Sequence, residues 1–315
     1  MYFNISGSSN SAYGFMSLFS NTTGGANTAN GYQALFSNTS GYENIGTGRY
    51  ALYSNTTGSY NTANGYRALY NNTTANDNTA TGYEALYSNT TGFQNIGTGL
   101  FALFSNTTGY NNNASGILAL YLNTTGYENI GTGHDALFSN ITGSDNVAIG
   151  DLAGYYNYGS GNIYLGKRAG YYETGSNKLY IGNDSDKTII YGDISTGQVL
   201  LGKKQPNAYV FKGSRTLNVL GGIISDSIRV ALSNNWADNV FEKDYPLQPL
   251  DQLDSFIKAN KHLPNIPSAT EVERDGIELG SMEAKLLEKI EELTLYVLQQ
   301  QKQIDELKKM IIKPK

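Results

Sequence analysis

The fold is decided by a 17-residue unit, which residues 31–47 spell as GYQALFSNTSGYENIGT. Residues 48–64 repeat the unit as GRYALYSNTTGSYNTAN. One asparagine recurs at the same register without insertion, at Asn4, Asn21, Asn38, Asn55, Asn72, Asn89, Asn106, Asn123 and Asn140. So strict a period means that each unit docks on its neighbour in one geometry, which is the signature of a solenoid.

Three further registers of the unit are equally regular. A second asparagine follows the first by six residues, and a glycine follows four residues later, at Gly14 and its equivalents. Next comes an Ala-Leu-aromatic triplet, found at 34–36, 51–53, 68–70, 85–87, 102–104, 119–121 and 136–138, with Ser17-Leu18-Phe19 as an imperfect first copy. One small and two larger apolar residues per unit are what a thin core needs.

A unit of this length predicts a β-solenoid. It is too short for the helix pairs of helical repeats, which need about 33 residues or more, and it lacks the leucine spacing of horseshoe repeats. We expect two short strands of about 4 to 5 residues per unit, joined by turns in which Gly and Asn tolerate positive φ. Stacked asparagine side chains are expected to hydrogen-bond from turn to turn. The recurring Asn-x-Ser/Thr triplets therefore indicate turn chemistry rather than glycosylation.

Composition limits the class of protein. The chain has 36 Gly and 25 Tyr in 315 residues, and its first lysine is Lys167. Disorder is the alternative for so polar a stretch, but regular leucines and aromatics argue against it. A net charge of -5 and a pI near 5.1 disfavour nucleic acid as a partner. With no cysteine, neither disulfides nor a thiolate metal site is expected.

The unit changes after about residue 144. The recurring segment becomes Asn146–Gly150, Asn162–Gly166 and Lys178–Gly182, at steps of 16 residues. Shorter strands are predicted at 189–192 and 199–202, as a tapering end of the roll. A basic collar of Lys167, Arg168, Lys178 and Lys187 is expected to be structural. Asn183-Asp184-Ser185-Asp186 is read as a turn rather than a metal site.

The C-terminal part has a different character. Alternating strands are predicted near 216–220 and 228–232, before Trp236, the only tryptophan. The apolar positions 250, 253, 256 and 257 fit one face of a helix with Pro249 in its first turn. Ser268 and Glu271 predict a capping box for a second helix. We divide the chain into the 17-residue repeats at 1–150, a tapering end and neck at 151–204, a small α+β cap at 205–280 and a coiled coil at 281–315.

The last segment carries about four heptads of apolar residues. The core positions are Leu286, Ile290, Leu293, Val297, Gln300, Ile304, Leu307 and Ile311. β-Branched residues at one core position and leucine at the other favour a parallel dimer. Gln300 is a polar core layer that either fixes the register or is simply tolerated.

The repeats resemble a known family. Gly-x-x-Asn-x-Ala-x-Gly and the later Asn146-Val147-Ala148-Ile149-Gly150 are similar to the left-handed β-roll head of trimeric autotransporter adhesins, and similar repeats occur in phage tail fibres. The resemblance covers about residues 4–202, although the 17-residue unit is longer than the adhesin repeat. It implies three chains packed side by side and binding to host surfaces.

A second resemblance covers residues 214–308. Phe241 to Tyr245, Lys261-His262-Leu263-Pro264 and residues 283–296 are similar to the C-terminal module of many Bacteroidota surface and tail-fibre-like proteins, which implies a trimerisation or end-cap role. The coil favours two chains and the β-roll favours three. We adopt three, because a short coil fused to a larger intertwined body takes its stoichiometry from that body. The predicted fold class is thus mainly β, a trimeric left-handed β-roll or β-solenoid, followed by a small α+β region and a C-terminal coiled-coil helix.

No constellation for catalysis is evident, and we expect neither an enzyme nor a cofactor or metal. His134 takes a variable surface register, and His262 lies in a proline-rich turn where packing explains it. Ser225-Asp226 is similar to the start of the self-cleaving chaperone of some phage fibres, but no lysine stands at the matching place. A serine without a base is a weak nucleophile.

The predicted function is a homotrimeric fibre that recognises or adheres to a cell surface, most directly a tail fibre of a phage or phage-like contractile injection system. The alternatives are a bacterial surface adhesin of the trimeric autotransporter type and a non-binding structural spacer. Expected partners are further copies of the chain, a cell-surface glycan or protein receptor, and a baseplate or other fibre protein. Nucleic acid and membrane insertion are not expected. With no apparent signal peptide, we place the chain on an extracellular particle, a virion or injection-system tail, or on a cell surface.

Exposed aromatic and arginine side chains at variable registers are the predicted contacts, because aromatic rings favour sugar or protein surfaces. They are Tyr32, Tyr42, Arg49, Tyr66, Arg67, Tyr83, Phe93, Tyr110 and Tyr127. Many weak sites on three chains would give avidity. An equally consistent interpretation is that these side chains pack along the roll or between chains.

Overall fold

The computed structural model describes residues 2–202, 216–219, 221, 223–228 and 239–312. It forms two compact units, Met1–Ile223 and Ile224–Lys315. The first unit is a β-solenoid of about 12 stacked turns, as the repeat predicts.

Each turn of the solenoid contributes one short strand to a single sheet. The strands are β1 Ser11–Tyr13, β2 Thr28–Asn30, β3 Ile45–Thr47, β4 Thr62–Asn64, β5 Thr79–Thr81, β6 Ile96–Thr98, β7 Asn113–Ser115, β8 Ile130–Thr132, β9 Val147–Ile149, β10 Ile163–Leu165 and β11 Lys178–Gly182. They pair in parallel in chain order, and Thr28 of β2 faces Ile45 of β3, one full unit later.

The prediction of two strands per unit was wrong. Outside the three-residue strand the unit is made of turns, and three of its non-glycine residues have left-handed backbones, as at Gln33, Leu35 and Glu43 with φ of 55°, 52° and 53°. A strand needs consecutive residues in the β region. Left-handed residues so close together curl the chain before a second strand can extend.

The core of the solenoid is a thin double column. The leucine of each triplet is fully buried, as is the alanine before it, and Ala or Gly occupies the middle of each strand from β1 to β9. The leucine column is Leu18, Leu35, Leu52, Leu69, Leu86, Leu103, Leu120 and Leu137. Leucine rarely adopts a left-handed backbone, at a cost of about 1–2 kcal/mol per residue. The burial of each leucine between two neighbouring turns offsets that cost.

Two asparagine ladders run through the interior, as predicted. In the first, Asn38 Nδ2 donates to Asn21 Oδ1 at 2.8 Å and to the Gly41 carbonyl at 2.9 Å. In the second, the Asn44 backbone N–H donates to Asn27 Oδ1 at 3.0 Å, and Asn44 Nδ2 donates to the Gly58 carbonyl at 2.8 Å. Each amide of the first ladder therefore closes a turn of its own unit and joins it to the previous unit, whereas each amide of the second ladder connects the previous unit to the next one.

The core changes where the unit shortens to 16 residues. Gly154 and Gly170 replace the core leucine with φ of 60° and 59°, and the ring of Tyr164 fills the space. A Cβ on Gly154 would lie 2.6 Å from that ring. The Tyr164 hydroxyl donates to Asn157 Oδ1 at 2.8 Å. The tyrosine that fills the core therefore also supplies a donor to the end of the first asparagine ladder.

The sheet ends in a meander. The strands predicted at 189–192 and 199–202 are β12 Thr188–Asp193 and β13 Gln198–Leu201, both antiparallel to their predecessors. β14 Leu217–Val219, predicted near 216–220, pairs in parallel with β13. The strand predicted at 228–232 lies almost wholly outside the described residues, and Trp236 lies outside them.

The second unit contains the three helices. They are α1 Leu250–Asn260, α2 Ala269–Asp275 and α3 Leu279–Ile312. Pro249 lies one residue before the predicted first turn, at the N-cap of α1. The capping box of α2 is confirmed, since Ser268 Oγ accepts from the Glu271 N–H and the Glu271 carboxylate accepts from the Ser268 N–H. α3 confirms the helix predicted from the heptads.

Candidate functional surface

The aromatic residue of each triplet lies outside the closed core. These rings are half-buried and stack turn upon turn, with centroids 5.0–5.3 Å apart and planes within 1–18° of parallel. The ladder comprises Phe19, Phe36, Tyr53, Tyr70, Tyr87, Phe104, Tyr121, Phe138, Tyr155 and Tyr171. The expectation that this aromatic belongs to the core holds only in part, because one edge of the ladder meets solvent.

Four of the predicted contact residues form a column along successive turns. Tyr32, Arg49, Tyr66 and Tyr83 each follow the glycine that comes directly after the strand of their turn, which we call the corner glycine. We call the register of these four residues the corner column. All four are exposed or half-exposed, and Tyr66 stacks on Tyr83 with ring centroids 5.0 Å apart. The corner glycines hold φ near 140°, and a Cβ on Gly31 would lie 2.4 Å from the next corner carbonyl. Backbone crowding thus holds the column at a fixed spacing.

The remaining aromatic candidates share a second register, two residues before the buried asparagine that precedes the strand. We call it the pre-strand column. Phe93, Tyr110 and Tyr127 stack on three successive turns, with centroid distances of 5.0 and 4.9 Å. Tyr42 occupies the same register further towards the N-terminus. These rings pack along the solenoid and remain partly open to solvent at the same time.

The structure adds aromatic residues that the sequence reasoning missed. Tyr50, Tyr60 and Phe101 pack edge-to-face against Tyr32, Tyr42 and Tyr83, with centroid distances of 5.5, 5.0 and 5.4 Å. Each pair is 18 residues apart rather than 17. The sequence signal for these pairs is an aromatic residue placed one position beyond the 17-residue register. Such a residue has a left-handed backbone, which directs its side chain back towards the previous turn.

Both arginines of the repeats lie on tyrosine rings. The Arg49 guanidinium carbon is 4.9 Å from the Tyr50 centroid and 5.5 Å from that of Tyr32. Arg67 lies in the next turn, one residue after the corner column, and its guanidinium carbon is 5.0 Å from the Tyr66 centroid. The Arg67 Nη1 is 3.3 Å from Glu84 Oε1, so an ion pair neutralises the charge of Arg67.

A different surface is the outer face of the sheet. The middle residue of each strand points inward, and the flanking residues point outward. Aliphatic side chains on this face are 40–45% exposed, namely Ile45, Ile96, Ile130, Ile149, Ile163 and Leu165. Such a flat face of short aliphatic and threonine side chains is suited to packing against another protein surface. None of these positions is among the contacts predicted from the sequence.

The second unit also leaves most of its described apolar residues uncovered. Seven of the eight predicted oligomerisation residues of α3 are apolar, and their exposed fractions run from 45% at Ile304 to 81% at Ile311. Gln300, the eighth, is exposed as well. Among the described residues of this unit, the buried apolar side chains are Val240, Ala284 and Tyr296. Three such residues are too few for a self-sufficient core.

An apolar groove of about 250 Å³ lies beside these residues. It is formed by Leu250 and Leu253 of α1, by Leu263 and Pro264 of the following turn, and by Leu293 and Val297 of α3. The tyrosine hydroxyls of Tyr245 and Tyr296 tether the segment before α1 to α3 through Glu292 and the Gln248 carbonyl. The groove therefore opens directly onto the heptad positions.

The charged side chains near the end of the solenoid form ion pairs. Lys178 Nζ is 2.6 Å from Asp193 Oδ2 and lowers the pKa of Asp193 to about 2. Arg168 and Lys167 lie 3.8 and 3.7 Å from Asp184 and Asp151. Three members of the predicted basic collar thus have carboxylate partners, as a structural role requires. Residues 183–186 form the turn between β11 and β12, as predicted.

The remaining chemical candidates occupy ordinary positions. His134 is a surface residue of the corner column, 3.2 Å from Asp135. His262 packs edge-on against Phe256. The Ser225 hydroxyl donates to the Ser227 carbonyl at 2.7 Å. In the part of the chain that the structure describes, no three His, Cys, Asp or Glu side chains are grouped as a metal site, and no helix is long and apolar enough to span a membrane.

Comparison of the chain with protein-family models, curated proteins and solved structures gives no match.

Proposed function

We propose that this chain is a homotrimeric fibre that recognises or adheres to a cell surface, most directly as a tail fibre of a phage or phage-like contractile injection system. The observation that carries the proposal is a repetitive solenoid with exposed aromatic columns, joined in one chain to a helix whose heptad residues are uncovered. The aromatic columns would meet the target. A baseplate or another fibre protein would hold the assembly.

Association of identical chains is supported by both units. The heptad residues of α3, together with the groove beside them, would be covered by the α3 helices of other copies. The outer face of the sheet would pack against the same face of its neighbours, since its aliphatic residues are short and aligned. The corner and pre-strand columns lie at other registers of the turn and would stay available to a target.

The first test is the mass of the full chain in solution by light scattering. Three times the chain mass of 34.2 kDa is expected. A monomer would contradict association altogether, and a dimer would favour the coil over the solenoid as the element that sets stoichiometry.

The packing face can be tested separately, because the chain has no cysteine. Ile96→Cys places a thiol on the outer face of the sheet, and Thr57→Cys places one on an exposed turn. Under mild oxidation at low concentration, Ile96→Cys should give disulfide-linked dimers and Thr57→Cys should not. Equal cross-linking of the two variants would show that the sheet face has no special role.

Target recognition is tested with intact cells. Phe93, Tyr110 and Tyr127 are changed together to serine, which the same column already carries at Ser59 and Ser144. Loss of three aromatic contacts on each chain should weaken cell binding by at least about tenfold. The control changes the exposed turn residues Thr74, Thr91 and Thr108 to alanine and should bind normally. If the unaltered protein binds no cells, the spacer function is favoured instead.

A further inference from the structure

The repeats carry very little charge, and most of it is negative. Residues 2–150 contain two arginines and no lysine, against the six carboxylates Glu43, Asp77, Glu84, Glu128, Asp135 and Asp145. Arg67 is paired with Glu84. Arg49 has no carboxylate within 4.0 Å among the described residues, so it is the one arginine of the repeats whose charge is not neutralised by an ion pair there.

The Arg49 guanidinium is nevertheless held in place. It lies over the rings of Tyr32 and Tyr50, and these two rings meet edge-to-face at 88°. Cation–π contacts of this kind fix a guanidinium without using its hydrogen-bond donors. One N–H of Nη2 is directed to the Tyr50 hydroxyl at 3.3 Å. A guanidinium has five N–H donors, so four are left for a ligand.

The neighbouring turn extends the site. Tyr66 follows Arg49 in the corner column, and the ring of Tyr50 lies between the two arginines, 5.9 Å from the Arg67 guanidinium carbon. The site therefore combines one exposed cation, three tyrosine hydroxyls and partly exposed rings. Arg67 and Glu84 cancel each other's charge at its edge.

We propose that Arg49, with Tyr32, Tyr50 and Tyr66, binds a carboxylate-bearing sugar of a cell-surface glycan. This inference rests on the proposed function, because it names the ligand class of that recognition surface. A guanidinium binds a carboxylate through two parallel N–H donors. Tyrosine offers an apolar ring for the C–H face of a pyranose and a hydroxyl for its hydroxyl groups.

The charge balance also selects against other anions. A polyanion such as nucleic acid is bound by many cations acting together. Here a single free arginine lies on a net negative body, which would repel a dense run of phosphates. An acidic saccharide brings one carboxylate among several neutral rings and matches the site in charge and in polarity.

The test uses the full chain and a panel of oligosaccharides that contain galacturonic, glucuronic or sialic acid. Each is paired with its carboxyl-reduced counterpart, in which the carboxylate has become a primary alcohol. The variants are Arg49→Gln, Arg49→Lys and, as a matched control, Leu100→Gln, which changes the same register three turns later. Circular dichroism verifies that each variant is folded.

We expect binding to at least one acidic oligosaccharide, with about a tenfold loss on carboxyl reduction and a similar loss in Arg49→Gln. Arg49→Lys should lose less, because it keeps the charge without the paired donors. Leu100→Gln should bind normally. Equal binding by Arg49→Gln, a preference for neutral sugars, or no binding to any acidic member would overturn the proposal.

The two proposals fail differently. If unaltered protein adheres to intact cells and Arg49→Gln adheres equally well, recognition stands and the acidic-sugar site is wrong. If unaltered protein adheres to no cells, the recognition function itself is wrong, whatever the oligosaccharide panel gives.

Discussion

At the scale of single residues, the solenoid depends on buried amides as well as on its apolar column. Asn72 illustrates the pattern, because its Nδ2 donates to Asn55 Oδ1 at 2.8 Å and to the Ala75 carbonyl at 3.1 Å, and its Oδ1 accepts from Asn89. The side chain is fully buried. Only an amide offers donors and an acceptor in so small a space.

Asn72→Asp should therefore be severely destabilising. A carboxylate keeps the acceptor but loses both donors, and it meets the oxygens of Asn55 and Ala75 without water. We expect a loss of about 3 kcal/mol in the free energy of unfolding, measured by chemical denaturation. Asn76→Asp is the control in the same turn, because this exposed side chain uses only its oxygen, which accepts from the Ser59 N–H. Equal losses in both variants would show that the ladder donors do not matter.

At the scale of elements, α3 is unusual in carrying large apolar residues on several faces. Leu293 and Leu298 are both 60% exposed, yet only Leu293 occupies a heptad core position. The pair therefore separates the effect of the heptad register from the effect of exposed leucine in general.

Leu293→Asp should weaken chain association, because it would bury a charge between helices. We expect a lower mass by light scattering on dilution to micromolar concentration, whereas Leu298→Asp should keep the mass of the unaltered protein. Were Leu298→Asp to dissociate the chains and Leu293→Asp not, the helix would associate through a face other than the heptad positions.

The meander that ends the solenoid should be sensitive to acid. Lys178 lowers the pKa of Asp193 from 3.8 to about 2. A depressed folded-state pKa contributes stability above the unfolded value, and this stability is lost as the pH falls through about 4 to about 2. Asp193→Asn should lower the melting temperature near neutral pH and flatten its pH dependence in that window.

The control for this measurement is Asp186→Asn in the turn before β12. Among the described residues Asp186 forms no ion pair, and its Oδ1 accepts a hydrogen bond from the Ser185 hydroxyl. Its melting curve should follow that of the unaltered protein from pH 5 to 2. If Asp193→Asn has the same pH profile as the unaltered protein, the ion pair does not stabilise the meander.

At the scale of the whole molecule, the sequence period predicts that the turns stack, but it does not predict the path of the backbone within each turn. The Asn ladders, the buried Leu column and the heptads of α3 all follow from residues that recur in step. The left-handed backbone of Leu35 could not be predicted, because leucine opposes that conformation and only its neighbours impose it. The 18-residue aromatic pairs were missed for the same reason, since they depend on those local reversals.

Because the period sets the register, the solenoid should tolerate removal of one complete turn. Deleting residues 102–118 joins Phe101 to Ala119, which stands where Ala102 stood, so every ladder continues. Deleting residues 102–119 joins Phe101 to Leu120 and forces one turn to close with 16 residues. The chain achieves this elsewhere only with Gly154 and Gly170 in place of core leucines and Tyr164 filling the gap.

We expect the 17-residue deletion to keep a cooperative thermal transition and the near-ultraviolet circular dichroism of stacked aromatics. The solenoid should be shorter by about 5 Å, the spacing of one strand. The 18-residue deletion should lower the free energy of unfolding by several kcal/mol, because it shifts core and ladder residues by one position. This result would show that a turn is stable only when it has both the right number of residues and its partners in the asparagine ladders. Equal stability of the two deletions would mean that the turns adjust their length freely, and the strict period would need another cause.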